Sequence, residues 1–169
     1  MHAAVMAGLT MIPAIIREMS DDDATIAMVD ANIQREELLP SEKGFAFKMK
    51  MEAMKRQGKR TDLTSNQNGG RLETAEVVGN ESGISPNQVR RYIRLTELIP
   101  ELLDMVDAKR IQFTIAVEIS YVPQNIQQWV YEYIRENGPI KPKQIEILRK
   151  YIKLEPMTQR KLIQIFNDS

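Results

Sequence analysis

Two glycines four residues apart, followed at once by Ser85-Pro86, constrain this chain more than any other feature. In the stretch from Thr74 to Ile93, Gly79 falls where two helices must cross too closely for side-chain volume to fit. Gly83 falls where the chain must turn through an unusual backbone angle. Val78, Ile84, Val89 and Tyr92 then occupy the positions that pack between the two helices. Ser85 can cap free amides and Pro86 is tolerated in a first turn, so the second helix carries its own start signal. This is the grammar of a helix-turn-helix spanning about Thr74 to Leu95. Helical hairpins in purely structural domains use the same spacing, so the functional weight rests on what the second helix shows outward. No acidic residue lies between Ser85 and Leu95, and Asn87, Gln88, Arg90, Arg91 and Arg94 face out. Such a set can reach base edges and phosphates when a helix lies in a major groove. The candidate DNA-binding residues are therefore Ser85, Asn87, Gln88, Arg90, Arg91 and Arg94, with Gln88 and Arg90 as base readers and Arg91 and Arg94 equally suited to phosphates. Double-stranded DNA is the expected partner.

Helical patterns with cap signals recur on both sides. Ser20 or Asp21 opens a helix with an acidic first turn, and Pro40-Ser41-Glu42 opens another that carries Phe45, Phe47, Met49, Met51 and Met54 among lysines to Gly58. Beyond Thr74 the expected helices run over 74–82, 85–96, 100–108, 113–121, 124–137, 141–153 and 157–167. His2 to Gly8 reads as the last turns of a helix closed by glycine, and Ile12-Pro13-Ala14-Ile15-Ile16 as one short edge strand. The fold class is mainly α: a multi-helix bundle with a helix-turn-helix and a small N-terminal remnant holding one strand. The expected divisions are an N-terminal remnant with its linking helix over 1–60, a flexible linker over 61–73, the helical DNA-binding domain over 74–153 and a C-terminal helix over 154–169.

Composition excludes several classes of chemistry. There is no cysteine, and the one histidine is His2, so thiolate metal sites, disulfides and cysteine nucleophiles are out. No nucleophile with a base, phosphate-cradling glycine loop or supported carboxylate pair is legible, so no enzyme activity is expected. No apolar run approaches the roughly 18 residues that span a membrane, and the expected location is cytoplasmic and DNA-associated. Charge is balanced overall but segregated. Across residues 1–40, Arg17 and Arg35 stand against seven carboxylates; across 41–71, eight basic side chains stand against three acidic ones. The lysines of 43–60 are thus candidate DNA-backbone contacts, with a solvated helix face as the alternative. The run Asp21-Asp22-Asp23 suits a helix N-terminus better than a metal.

The order of segments carries a resemblance. A Gly-Leu-x-x-Ile-Pro-Ala-Ile-Ile stretch and an acidic helix precede Asn32-Ile33-Gln34-Arg35-Glu36-Glu37-Leu38, Pro40-x-Glu42-Lys43 and the helix-turn-helix. Over about residues 1 to 122 this resembles the ParB/RepB/Spo-type partition family, and the chain reads as the end of its N-terminal nucleotide domain plus its central DNA-binding domain. The resemblance implies binding of a centromere-like palindrome on a plasmid, chromosome or mobile element, a homodimer in the full-length protein, and a partition ATPase as a further partner. It also implies CTP and magnesium in the full-length protein. Asn32, Gln34 and Arg35 match the family's Glu-Asn-x-Gln-Arg nucleotide motif, while Ala31 stands where a metal-linked glutamate is implied. No cofactor is expected in this chain itself. Two other readings are a CTP-dependent switch, and a helical interaction module using the Met-rich 45–54 segment with Trp129, Tyr131 and Tyr133.

Overall fold

The computed structural model describes residues 6, 8, 11, 15–33, 38–61 and 69–169. Its described elements are all helical: α1 (Asp21–Ile33), α2 (Pro40–Thr61), α3 (Gly69–Ser82), α4 (Pro86–Leu95), α5 (Pro100–Asp107), α6 (Phe113–Ile119), α7 (Gln124–Asn137), α8 (Pro142–Ile152) and α9 (Gln159–Asn167). From α4 onward these bounds follow the cap signals of the sequence to within two residues. The described part of the expected strand is not extended in a sheet: Ile15 and Ile16 lie in irregular backbone, 82% and 94% exposed. A lone apolar run has no strand among the described residues to pair with, and unpaired backbone does not make a sheet. Ile12 to Ala14 and most of the predicted first helix lie outside the described residues, although Gly8 does take a positive φ of 71°. Of the linker predicted over 61–73, Thr61 ends α2 and 69–73 lie in α3, while 62–68 fall outside the described residues.

Two apolar clusters organise the helices. One joins Phe47 and Met51 of α2 to Ala75 and Val78 of α3 and Val89 of α4. The larger runs from Leu95 through α5, α6, α7 and α8 to Leu162, Ile165 and Phe166 of α9, so the last helix is part of the core. Tyr92 packs against both. Trp129, Tyr131 and Tyr133 are partly buried against the larger cluster, which is a packing role. Of the Met-rich segment, Met51 is buried while Phe45 and Met49 are exposed.

Buried polar groups close gaps between elements. Gln127, fully buried, donates to the carbonyls of Val122 (2.8 Å) and Glu97 (3.2 Å) and accepts from the Ile99 N–H (2.9 Å). Gln144 accepts from the Lys141 N–H (2.6 Å) and donates to the Phe166 carbonyl (2.7 Å), fixing the start of α8 to the end of α9. Asp107, at the end of α5, accepts from the Ser41 N–H (3.0 Å) and the Ser41 hydroxyl, capping α2 from across the molecule.

Part of the segregated charge of the sequence is used inside the fold. Asp22 of α1 pairs with Arg56 of α2 (2.8 Å), and Asp23 accepts from Gln57 (2.6 Å). The Ser20 hydroxyl and the Gln57 amide together hold the Asp23 carboxyl below its ordinary range. Lys48 reaches Thr96 (3.3 Å) and Glu97 (3.5 Å). Lys50 is fully buried and donates to Asp30 of α1 and to Glu81 of α3 (2.6 Å), so it cannot touch a DNA phosphate. Two ion pairs, Asp22 with Arg56 and Asp30 with Lys50, thus join the acidic helix to the basic one.

Candidate nucleic-acid interface

Backbone geometry fixes how α4 is presented. Gly79 is buried at the crossing of α3 and its turn: a Cβ there would lie 2.7 Å from the Ile84 carbonyl oxygen and 3.2 Å from the Pro86 nitrogen. The Ile84 N–H in turn donates to the Gly79 carbonyl (3.0 Å). Gly83 takes φ 68°, the left-handed region where only glycine sits without strain. Ser85 is extended (φ −68°, ψ 151°), its hydroxyl accepts from the Gln88 N–H (3.2 Å), and Pro86 starts the helix. One feature at this site escaped the sequence reading. Gly44 of α2 lets the two helices touch, since a Cβ there would sit 2.6 Å from the Tyr92 carbonyl oxygen.

The candidate residues divide along α4. In its first half Asn87 is exposed, Gln88 and Arg90 are half-buried, and Arg90 Nη1 donates to Asn87 Oδ1 (3.0 Å). Among the described residues Arg90 makes no ion pair. In the second half the arginines are engaged with the protein. Arg91 lies over the Phe113 ring (5.2 Å). Arg94 donates through Nε to the Ser120 hydroxyl (3.2 Å) and through Nη2 to the Ser120 carbonyl, and stacks on Tyr121 (4.2 Å). Arg149 covers the same ring (4.8 Å) and pairs with Glu118. Arg94 therefore anchors the end of α4 to the turn after α6. Its removal is expected to cost about 2 kcal/mol, from lost charged hydrogen bonds and stacking. The check is the urea midpoint of Arg94→Ala at constant slope, with Arg94→Lys recovering only part because it lacks the planar fork.

Two curated relatives align with most of the chain. One is the "Chromosome-partitioning protein Spo0J" of Thermus thermophilus, 26% identical over 155 residues that cover 92% of this chain and 51% of that protein. The other is the "Probable chromosome 1-partitioning protein ParB" of Deinococcus radiodurans, 29% identical over 137 residues, 81% of this chain and 41% of the relative. Over most of its length the chain is similar to these ParB and Spo0J chromosome-partitioning proteins. No family model matches it. The chain spans about half the length of the curated relatives it matches.

Of the nucleotide residues that the resemblance implied for such a chain, Asn32 lies at the end of α1, while Gln34 and Arg35 fall outside the described residues. Ala31 offers no ligand atom, and Asp30, the adjacent carboxylate, is committed to Lys50. No helix among the described residues is long and apolar enough to cross a membrane.

Proposed function

We propose that this chain binds double-stranded DNA through a helix-turn-helix made of α3, the Gly83–Ser85 turn and α4, in a chromosome-partitioning role like that named for its relatives. The observation that carries the reading is the first half of α4. It is without acidic residues, and among the described residues its Asn87, Gln88 and Arg90 side chains make no hydrogen bond or ion pair outside α4. Residues at the start of a recognition helix are those that meet base edges. Asn87 and Gln88 suit adenine and Arg90 suits guanine, each through paired hydrogen bonds. Ser85 places these side chains by fixing where the helix begins.

The experiment is selection of duplexes from a random pool, followed by anisotropy titration of selected and scrambled DNA. Gln88→Ala and Arg90→Ala are each expected to lose about 1 to 3 kcal/mol of discrimination between the two, with binding to scrambled DNA little changed. Equal affinity of the unaltered chain for selected and scrambled duplexes would refute sequence reading by α4.

A further inference from the structure

Lys109 closes α5 in left-handed backbone, φ 57°, alone among the described non-glycine residues. Its N–H donates to the Val106 carbonyl (3.0 Å) and the Arg110 N–H to the Met105 carbonyl (2.8 Å), the folded-back pattern that ends a helix. Glycine serves that position best, because the Cβ of an L-residue crowds the following carbonyl. Lysine gains no packing in return. Its side chain is exposed, as is that of Arg110, and neither forms an ion pair among the described residues. A cation held on backbone that prefers glycine points to a use for the charge.

The same turn leads three residues on to Phe113, where other cations gather. Arg91 lies over the Phe113 ring (5.2 Å), Tyr92 packs on that ring (4.8 Å), and Lys43 lies over Tyr92 (5.9 Å). Ser41, just before Lys43, is bonded to Asp107, just before Lys109, so the start of α2 and the end of α5 are neighbours. Two carboxylates of these segments are turned to backbone amides: Asp107 to that of Ser41 and Glu42 to that of Leu39 (2.8 Å). Two basic side chains thus cap one aromatic pair beside the second half of α4, and Lys109 and Arg110 lie exposed on the turn that leads into Phe113.

We infer that Lys109 and Arg110, with Lys43 and Arg91 beside them, form a second DNA contact that grips backbone phosphates of the duplex whose base edges the first half of α4 reads. This rests on the DNA-binding reading above. Phosphates are recognised by charge, so the contact strengthens binding to every duplex and carries no sequence information.

The test is a salt titration of the full 169-residue chain against a selected duplex and a random-sequence duplex, both fluorescently labelled. The variant is Lys109→Gly with Arg110→Gln. Each lost phosphate contact is expected to reduce the slope of log affinity on log salt by about 0.9, and to weaken binding about tenfold near 0.1 M salt, by the same factor on both duplexes. The thermal midpoint is expected to hold or rise, since glycine relieves the backbone at position 109. The charge-keeping pair Lys109→Arg and Arg110→Lys is expected to bind like the unaltered chain. An unchanged slope, with the unaltered chain binding normally, would overturn the second contact and leave α4 reading DNA. A loss confined to the selected duplex would also overturn it, by making these residues base readers. Failure of the unaltered chain to bind either duplex at low salt would overturn both readings.

Discussion

Alanine at both Asp30 and Glu81 is expected to destabilise the fold by about 3 kcal/mol, because it strands the fully buried Lys50 ammonium without a partner. Lys50→Met is expected to cost much less, under about 1 kcal/mol, although it breaks the same two ion pairs. The asymmetry follows from exposure: the carboxylates are 41% and 52% exposed and water can take them over, whereas the lysine is sealed between α1, α2 and α3. Burial pushes the Lys50 ammonium toward losing its proton, but the hydrogen bonds and charges of Asp30 and Glu81 outweigh it and hold the pKa above the ordinary lysine value. A pKa raised on folding adds stability that is fully present below the unfolded value and is lost as pH climbs through the folded one. Unaltered protein should therefore weaken from about pH 10.4 upward, and Lys50→Met should lack that part of the loss. Urea midpoints at neutral and alkaline pH measure both effects. Equal alkaline losses in the two proteins would show that Lys50 contributes no such term.

The second large effect is expected at Gly79. A methyl group there meets the Ile84 carbonyl and the Pro86 nitrogen, both backbone atoms of the turn, and neither can rotate aside as a side-chain tip could. Gly79→Ala is expected to cost about 3 kcal/mol, at the upper end for overpacking, and to displace the start of α4. Gly44→Ala, pressed on the Tyr92 carbonyl, should behave alike from the other side of α4. Gly83→Ala meets open space and suffers only from its left-handed backbone, so about 1 kcal/mol is expected. Thermal unfolding of the three variants ranks them, and a Gly79→Ala protein with an unaltered midpoint would refute the close crossing.

What could be read from the chain beforehand was local in origin. The helices from Ser85 onward announce themselves because serine, proline and glycine act on the backbone within a turn or so of their own position, and Gly79 and Gly83 are read the same way. The close approach at Gly44 escaped, since the carbonyl it admits lies on Tyr92, and no spacing rule links positions so far apart. The cap that Asp107 gives to Ser41 spans 66 residues and escaped for that reason. The basic run at 43–60 was legible as charge but not as destination: Lys50 and Arg56 answer carboxylates of α1, and Lys50 answers α3 as well. Within the candidate site, the arginines of α4 were visible as a set. Which of them the protein itself consumes depended on where Ser120 and Tyr121 come to rest, which α6 decides.

Tyr92 belongs to both apolar clusters, with Phe47 on one side (5.8 Å) and Phe113 on the other (4.8 Å). A helix seated on a single cluster could loosen by itself and adapt its angle to whatever it met. Here α4 can tilt only if both clusters yield together, so it is held as a rigid blade rather than a hinged one. On the proposed DNA-binding reading, a rigid blade would reject a poorly matched groove instead of accommodating it, and the selectivity expected of the first half of α4 would be set partly by the stiffness of its second half.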